Sequence, residues 1–177
     1  TQDAMRMRLE LGADIDGLVL RTTEQSAGRG RRGRSWTGTL GGSYQTVAVR
    51  GADGGEGARR TAAPTTRAVA IGIAGVRRES GARVDVTGPN DLFYRGKKLG
   101  GILAEHVRGY LLIGVGVNVH NTVPEGAIGL VGWDVDAVGA AVLEGVERGL
   151  DAVRSGARLV ERFAALDLLS GTQVRVN

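Results

Sequence analysis

The chain has 177 residues, of which 42% are hydrophobic and 24% charged, which is the composition of one globular domain of ordinary size. It contains no cysteine, so disulfides and thiolate metal sites are excluded. No apolar run approaches the length of a membrane span and no secretory signal is visible, so we expect a cytoplasmic protein. Lysine and arginine outnumber aspartate and glutamate by 23 to 19, and much of this excess lies in residues 29–34. That concentration predicts an anionic ligand.

Hydrophobic patterning in the first fifty residues predicts one short helix and two strands. Residues 4–11 place methionine and leucine among charges, and Gly12 is suited to end a helix there. Gly17–Gln25 predicts a strand that leads directly into the glycine- and arginine-rich segment 28–36, which we interpret as a loop. Ser43–Arg50 alternates in side-chain character, which predicts a second strand with two differently occupied faces.

The middle of the chain predicts a loop, a helix and four strands. Residues 51–63 are small and polar, which is typical of an exposed flexible loop. Pro64 is suited to the first turn of a helix that extends to Ser80 and is closed by Gly81. A tight turn at Gly96-Lys97 precedes the third of the strands. The predicted strands are Val84–Val86, Asp91–Arg95, Leu99–Val107 and Tyr110–Val119.

The C-terminal part of the chain predicts helices. Asp134 is suited to cap a helix whose valines recur at helical spacing as far as Leu150. A second helix is predicted near Arg158–Leu168, and Thr172–Asn177 is interpreted as the opening strand of a further unit. Because strands and helices do not alternate regularly, the predicted fold class is α+β, with a mixed, largely antiparallel sheet backed by helices.

The segment Gly28–Trp36, GRGRRGRSW, has the chemistry of a phosphate site. Glycines let backbone N–H groups approach an anion, and arginines supply forked hydrogen-bond donors. Its glycines also satisfy the dinucleotide-binding fingerprint, with Asp53 at the spacing that fingerprint requires, but no helical pattern follows the third glycine. Arginine- and glycine-rich segments also bind nucleic acids, and a solvated loop without a ligand is the remaining alternative.

Four segments, in this order, resemble biotin protein ligases. They are TTEQSAGRGRRGRSW at 22–36, GPNDL at 88–92, GKKLGGILAE at 96–105 and GVGVNV at 114–119. The resemblance implies a catalytic fold of the class II aminoacyl-tRNA synthetase and biotin ligase type, shared with lipoate ligases. It also implies an enzyme that activates biotin with ATP to biotinyl-5′-AMP. A lysine of a biotin carboxyl carrier domain then receives the biotinyl group.

The implied ligands are ATP, biotin and Mg²⁺, and the implied partner is a biotin carboxyl carrier domain of a biotin-dependent carboxylase. No DNA or membrane partner is expected. A homodimer is compatible with the resemblance, since dimerisation through edge strands is common in the family. The alternatives are a lipoate or octanoate ligase or transferase of the same fold, and a nucleic-acid-binding protein with a basic loop.

The resemblance assigns roles to individual residues. Lys98, Arg31 and Asp91 are expected to be catalytic, and Asp91 is a candidate Mg²⁺ ligand. A positive charge at Lys98 suits the reaction, because two anions must meet and negative charge develops on the phosphoryl oxygens. The expected biotin contacts are Thr1, Gln25, Gly28, Arg29, Lys98, Gly100 and Gly101. The expected contacts of the adenylate or ATP are Arg31, Arg34, Trp36 and Asn118.

The chain departs from the family pattern in two places that bear on the site. Thr87-Gly88 stands where family members usually carry Lys-Trp, which removes a cation and an indole from the expected site. Gln2 stands where asparagine is usual, directly after the threonine of the biotin motif. We interpret residues 1–170 as the catalytic domain and residues 171–177 as the start of a small C-terminal β domain.

Overall fold

A computed structural model describes residues 1–51, 56–79, 83–88, 90–156 and 163–167, and within the second helix it describes the side chains of residues 64–75. A short 3-10 turn at Arg31–Gly33 separates the second and third strands. The helices and strands in chain order are α1 (Gln2–Glu10), β1 (Val19–Thr22), β2 (Gln25–Arg29), β3 (Ser35–Gly38), β4 (Ser43–Arg50), α2 (Glu56–Glu79), β5 (Val84–Thr87), β6 (Asp91–Tyr94), β7 (Lys97–Val107), β8 (Tyr110–Val117) and α3 (Val135–Arg154).

Six of these strands form one antiparallel sheet in the order β1-β4-β8-β7-β6-β5. The remaining two, β2 and β3, pair with each other as a separate antiparallel hairpin. The predicted α+β class is therefore confirmed. Among the described residues, no helix is both long and apolar enough to cross a membrane.

The helices α2 and α3 cover one face of the sheet. Val69 and Ile73 of α2 are buried in the main core together with Val142 of α3. The two helices approach each other closely at glycine, because a Cβ added to Gly72 would overlap the carbonyl oxygen of Gly145. This backbone-to-backbone contact lets the two helices form one compact layer over the sheet.

The opposite face of the sheet carries α1 and the hairpin. Met5 and Leu9 of α1 pack against Leu112 of β8 in a second, smaller core. Successive side chains of a strand point to opposite faces. Gly114 and Gly116 of β8 therefore share the face of Leu112, and the missing side chains leave open space beside α1.

Most of the predicted strands are confirmed. Ser43–Arg50 is a strand over its full predicted length, and β8 is central in the sheet, as its apolar sequence indicated. The turn before β7 lies one residue earlier than predicted, because Arg95 and Gly96 have φ angles of 51° and 72°. Two consecutive residues with positive φ are characteristic of a two-residue hairpin turn whose twist matches the flanking strands.

The glycine- and arginine-rich segment is a hairpin, so its interpretation as a loop was wrong. The predicted strand Gly17–Gln25 is interrupted after Thr22, and the chain then forms β2, which pairs with β3. Residues 30–34, here called the hairpin tip, connect these two strands. Serine, glycine and arginine have weak strand propensity, so the sequence of β2 carries little local signal for this structure.

The loop predicted at residues 51–63 was also wrong from Glu56 onward, since α2 begins there and Pro64 lies inside the helix. Alanine and arginine favour a helix, whereas an interior proline removes one backbone hydrogen bond. The balance between these effects depends on packing against the sheet, which local sequence does not show. The predicted end of this helix at Ser80-Gly81 lies outside the described residues.

The predicted helix near residue 134 is confirmed, including its cap. A carboxylate oxygen of Asp134 accepts a hydrogen bond from the backbone nitrogen of Ala137 at 2.7 Å. Most of the predicted helix Arg158–Leu168 lies outside the described residues. Asp167 forms a parallel bridge with Val86 of β5, so that helix ends before its predicted limit. The predicted strand 172–177 is also outside the described range.

Candidate active site

A cleft opens on the face of the sheet that carries α1 and the hairpin. It encloses about 870 Å³ of empty space, a volume that includes open solvent at its mouth. Its walls come from the start of α1, the hairpin and strands β4, β6, β7 and β8. The predicted site residues that line it are Thr1, Gln25, Arg29, Arg31, Arg34, Trp36, Asp91, Lys98 and Gly101.

Three predicted site residues, Gly28, Gly100 and Asn118, do not line the cleft. Gly28 pairs with Trp36 across the hairpin, and a Cβ at position 28 would overlap the carbonyl oxygen of that tryptophan. Gly100 lies similarly close to the backbone of β8. The buried Asn118 accepts a hydrogen bond from Nδ2 of Asn121 at 3.1 Å. Each position therefore has a packing reason for its residue type, and its ligand contact stays a prediction.

Lys98 and Asp91 form an ion pair in the wall of the cleft. The Lys98 Nζ atom lies 3.0 Å from Oδ1 of Asp91, and the two side chains retain 34% and 26% of their exposure. The same Nζ atom lies 5.8 Å from the ring centroid of Trp36, within the range of a cation–π attraction. The lysine thus offers a positive charge to an anion in the cleft, and the carboxylate beside it partly balances that charge.

Hydrogen bonds connect this ion pair to the hairpin tip. Nη1 of Arg31 donates to Oδ1 of Asn90 at 2.9 Å, and Nδ2 of Asn90 donates to Oδ1 of Asp91 at 2.9 Å. Asn90 also lines the cleft, although it was not among the predicted site residues. Its position in the GPNDL motif, directly before Asp91, is the sequence signal that could have identified it.

Another set of charges holds the hairpin at its first strand. Nη2 of Arg29 lies 2.7 Å from Oδ1 of Asp3 in α1 and 3.7 Å from Oε2 of Glu105 in β7. Arg6 of α1 lies 2.9 Å from the same Glu105 oxygen. Partly exposed ion pairs contribute little to stability one by one. Their consequence here is geometric, since they join α1, β2 and β7 at the edge of the cleft. These partners were not among the predicted site residues, because charge patterns in a sequence do not show which elements meet.

Polar groups of α1, β2 and β4 form a further wall. The Thr1 hydroxyl accepts hydrogen bonds from Nε2 of Gln25 at 3.1 Å and from the Thr46 hydroxyl at 2.8 Å. The buried Gln2 donates through Nε2 to the carbonyl oxygen of Leu103 at 2.9 Å. These bonds orient several side chains at the cleft, as is usual where a few polar groups select a small ligand.

Trp36 lies above the glycines of β8. A Cβ added to Gly116 would lie 3.1 Å from the indole Nε1 atom. That nitrogen is buried and has no hydrogen-bond partner among the described residues. Buried indole N–H groups usually find a partner. The side chain is half-buried and lines the cleft, so its predicted contact with adenine stays a prediction that its location permits.

The replacement of Lys-Trp by Thr87-Gly88 lies outside the lining of the cleft. Gly88 has a φ of 58°, a conformation that favours glycine, so a tryptophan at this position would be strained. The Thr87 hydroxyl is buried and has no hydrogen-bond partner among the described residues. The local backbone therefore suits glycine at position 88, and the cations of the cleft come from β7 and the hairpin.

The described residues contain no group of three or more histidine, aspartate or glutamate side chains that could hold a metal ion. Asp91, the candidate Mg²⁺ ligand, has its Oδ1 atom engaged by Lys98 and Asn90. Protein sites for Mg²⁺ commonly use one or two carboxylates together with substrate phosphates. A single carboxylate at this place therefore fits only an ion that enters with a nucleotide.

Comparison with known proteins identifies sequence relatives. Residues 2–121 match the sequence model described as the biotin/lipoate A/B protein ligase family. The chain is 33% identical to the biotin–[acetyl-CoA-carboxylase] ligase of Mycobacterium tuberculosis, over 96% of this chain and 68% of that protein. It is 36% identical to the bifunctional ligase/repressor BirA of Escherichia coli, over 62% of this chain and 35% of that protein.

Solved structures share the fold. The biotin protein ligase of Aquifex aeolicus in complex with biotin and ATP matches with a TM-score of 0.76 and 23% identity, over 92% of this chain and 74% of that chain. The biotin acetyl coenzyme A carboxylase synthetase of Helicobacter pylori matches with a TM-score of 0.72 and 22% identity, over 100% and 81% of the two chains. At these identities the structural matches establish the fold, and they confirm the predicted ligase-like architecture.

Proposed function

Since this chain belongs to the biotin/lipoate A/B protein ligase family, we propose that it is the catalytic domain of a biotin protein ligase. It activates biotin with ATP to biotinyl-5′-AMP and transfers the biotinyl group to a lysine of a biotin carboxyl carrier domain. The observation that carries this proposal is the cleft itself, in which a lysine and the arginines of the hairpin tip surround one space. The cations concerned are Lys98, Arg31 and Arg34.

In the first step, a carboxylate oxygen of biotin attacks the α-phosphorus of ATP. A new acyl–phosphate bond forms, the bond to the β-phosphate oxygen breaks, and pyrophosphate leaves. Lys98 draws the two anions together and stabilises the charge that develops on the phosphoryl oxygens, which is often the largest contribution an enzyme makes. Asp91 holds the ammonium in place through the 3.0 Å contact.

In the second step, the lysine amine of the carrier attacks the acyl carbon of the adenylate, and AMP leaves. Until then the adenylate must be kept from water, because a mixed anhydride is hydrolysed readily. Arg31 and Arg34 line the cleft from the hairpin tip, where their guanidinium groups can hold the phosphate. The hairpin thus retains the intermediate until the carrier arrives.

Binding of the substrates uses the remaining walls. Thr1, Gln25 and Arg29 supply polar groups for biotin, and the bare backbone at Gly101 lets its rings approach the sheet. Trp36 supplies a ring face for adenine. Mg²⁺ belongs to the proposal as the ion that accompanies ATP. The carrier domain of a carboxylase as acceptor, the homodimer, the cytoplasmic location and the division into residues 1–170 and 171–177 stay predictions.

A direct test incubates the chain with biotin, MgATP and a biotin carboxyl carrier domain and measures the mass of the carrier. We expect the mass increment of one biotinyl group, and no increment when ATP is omitted. Parallel reactions with lipoate and octanoate decide between the substrates of the family. Modification by lipoate but not by biotin would replace the proposal with its closest alternative, and no modification by any of these acids would contradict both.

A further inference from the structure

We propose that Asn90 is a positioning residue that links Arg31 of the hairpin tip to the Asp91–Lys98 pair. The inference rests on the proposed function, because the ligand whose retention it affects is biotinyl-5′-AMP. The contacts are side-chain hydrogen bonds and one ion pair among the chain's own residues. They join the hairpin tip to the wall of the sheet that carries the lysine.

The side-chain amide of Asn90 uses both of its ends in this link. Its oxygen accepts from Arg31 at 2.9 Å, and its nitrogen donates to Asp91 at 2.9 Å. An amide can accept and donate at the same time, whereas an ionised carboxylate can only accept. Asparagine is therefore suited to stand between a guanidinium and a carboxylate, since it satisfies both without adding a charge.

The link is specific to one arginine of the hairpin tip. Arg31 forms a side-chain hydrogen bond to the sheet, whereas Arg32 and Arg34 have no side-chain hydrogen bond or ion pair among the described residues. Within the tip, the backbone contributes the bond from Gly30 N to Arg34 O at 2.7 Å and a longer one at 3.3 Å. Asn90 is thus the contact that holds the tip toward the lysine.

The strands of the hairpin are held independently, because Arg29, the last residue of β2 before the tip, forms its ion pair with Asp3 of α1. Loss of the Asn90 contact should therefore release the tip and leave the hairpin and the sheet folded. This separation distinguishes a positioning role from a general structural role. The thermal midpoint should remain near that of the wild type, while tryptic cleavage in the tip becomes faster.

A ligand-free experiment measures tryptic cleavage after Arg31, Arg32 and Arg34 by mass spectrometry. We expect Asn90→Ala to speed cleavage in the tip by about fivefold. This is the factor expected for loss of the one hydrogen bond that joins the tip to residue 90, which contributes about 1 kcal/mol. Asn90→Asp keeps an acceptor for Arg31 but cannot donate to Asp91, so its cleavage rate should lie between those of Asn90→Ala and the wild type. Thr39→Ala is a matched control, since it removes one exposed hydrogen bond, from the Thr39 hydroxyl to the carbonyl oxygen of Thr122, outside the hairpin tip. Equal cleavage of Asn90→Ala and the wild type would overturn the link.

A second experiment measures dissociation of added biotinyl-5′-AMP from the 177-residue chain by tryptophan fluorescence. We expect faster dissociation from Asn90→Ala and from Arg31→Ala, with no further acceleration in the double variant, because both changes break the same connection. Equal rates in the wild type and Asn90→Ala would overturn the positioning role alone. A wild-type chain that binds no biotinyl-5′-AMP would overturn the proposed function, and with it the role of Asn90 in retention.

Discussion

The two faces of the central sheet are filled in different ways. Under α2 and α3, branched aliphatic side chains such as Ile73 and Val142 are packed in a continuous core. Under α1 and the hairpin, glycines of β7 and β8 leave a cleft, and hydrogen bonds and ion pairs hold the surrounding elements. This difference predicts that stability depends mainly on the helix-covered face and that the proposed ligand binding depends on the other. Substitutions on one face should therefore change one property and largely spare the other.

The strongest expected effect is on the cleft face, at Lys98. We expect Lys98→Ala to reduce pyrophosphate release from biotin and ATP by at least about 100-fold, since it removes charge stabilisation of the transition state. The unfolding free energy should change by no more than about 1 kcal/mol, as is usual for a partly exposed ion pair. The adjacent Lys97, which does not line the cleft, gives Lys97→Ala as the control. Near-normal pyrophosphate release from Lys98→Ala would refute the assigned role.

The next effect is on the helix-covered face, at the contact between α2 and α3. In Gly72→Ala the new methyl group would overlap the backbone of Gly145, and overpacking of this kind costs about 1–3 kcal/mol or more. Gly75→Ala in the same helix meets no atom within 4 Å and should instead gain about 0.5–1 kcal/mol from helix propensity. Urea unfolding measures both. If the two variants had equal stability, the close helix contact would not exist.

A smaller effect is expected at the glycines of the cleft. Gly116→Ala places a methyl group 3.1 Å from Nε1 of Trp36, and Gly114→Ala places one 3.0 Å from Nε2 of Gln2. We expect Gly116→Ala to weaken ATP binding more than biotin binding, and Gly114→Ala to weaken biotin binding more than ATP binding. Each affinity loss should be about threefold to tenfold, as for modest overpacking. Calorimetry with each ligand measures this. If both variants lost more affinity for the same ligand, this would contradict the assignment of ATP to the Trp36 side of the cleft and of biotin to the Gln2 side.

The smallest effect concerns a polar cluster beside α1. Hydrogen bonds from the backbone of Asp16 and from the Tyr110 hydroxyl, and the charge of Arg50, hold the pKa of Asp14 below its usual range. A lowered folded-state pKa stabilises the protein above the unfolded-state value of about 3.9, and this contribution is lost as the pH falls through the folded-state pKa. Thermal melts from pH 6 to pH 2 should show a weaker pH dependence in Asp14→Asn. An unchanged profile would indicate that this carboxylate contributes nothing.

The elements that local sequence predicted well are those whose composition is dictated by burial. Tyr110–Val117 is a central strand whose side chains pack into both cores, so every position is apolar or glycine. Ser43–Arg50 alternates because its two faces meet two different cores. The cap at Asp134 is a contact within one turn. In each case the determining interaction is encoded in neighbouring residues.

The elements that were predicted wrongly depend on contacts made elsewhere in the chain. The hairpin strand Gln25–Arg29 has weak strand propensity, and its ion pairs with α1 and β7 hold it in place. The helix α2 continues across Pro64 even though that residue lacks a backbone donor. A window of local sequence contains neither the partner strand nor the surface on which the helix packs.

The sequence by itself determined the cations of the cleft, because the segments around Arg31 and Lys98 carry glycine and basic residues in a recognisable order. Only the tertiary structure decided which residues join them. It brought Asn90 between Arg31 and Asp91, and it placed Asn118 beside another buried asparagine away from the cleft. The physical reason is that strand register and the choice of sheet face bring together residues far apart in the chain, and neither can be read from a local motif.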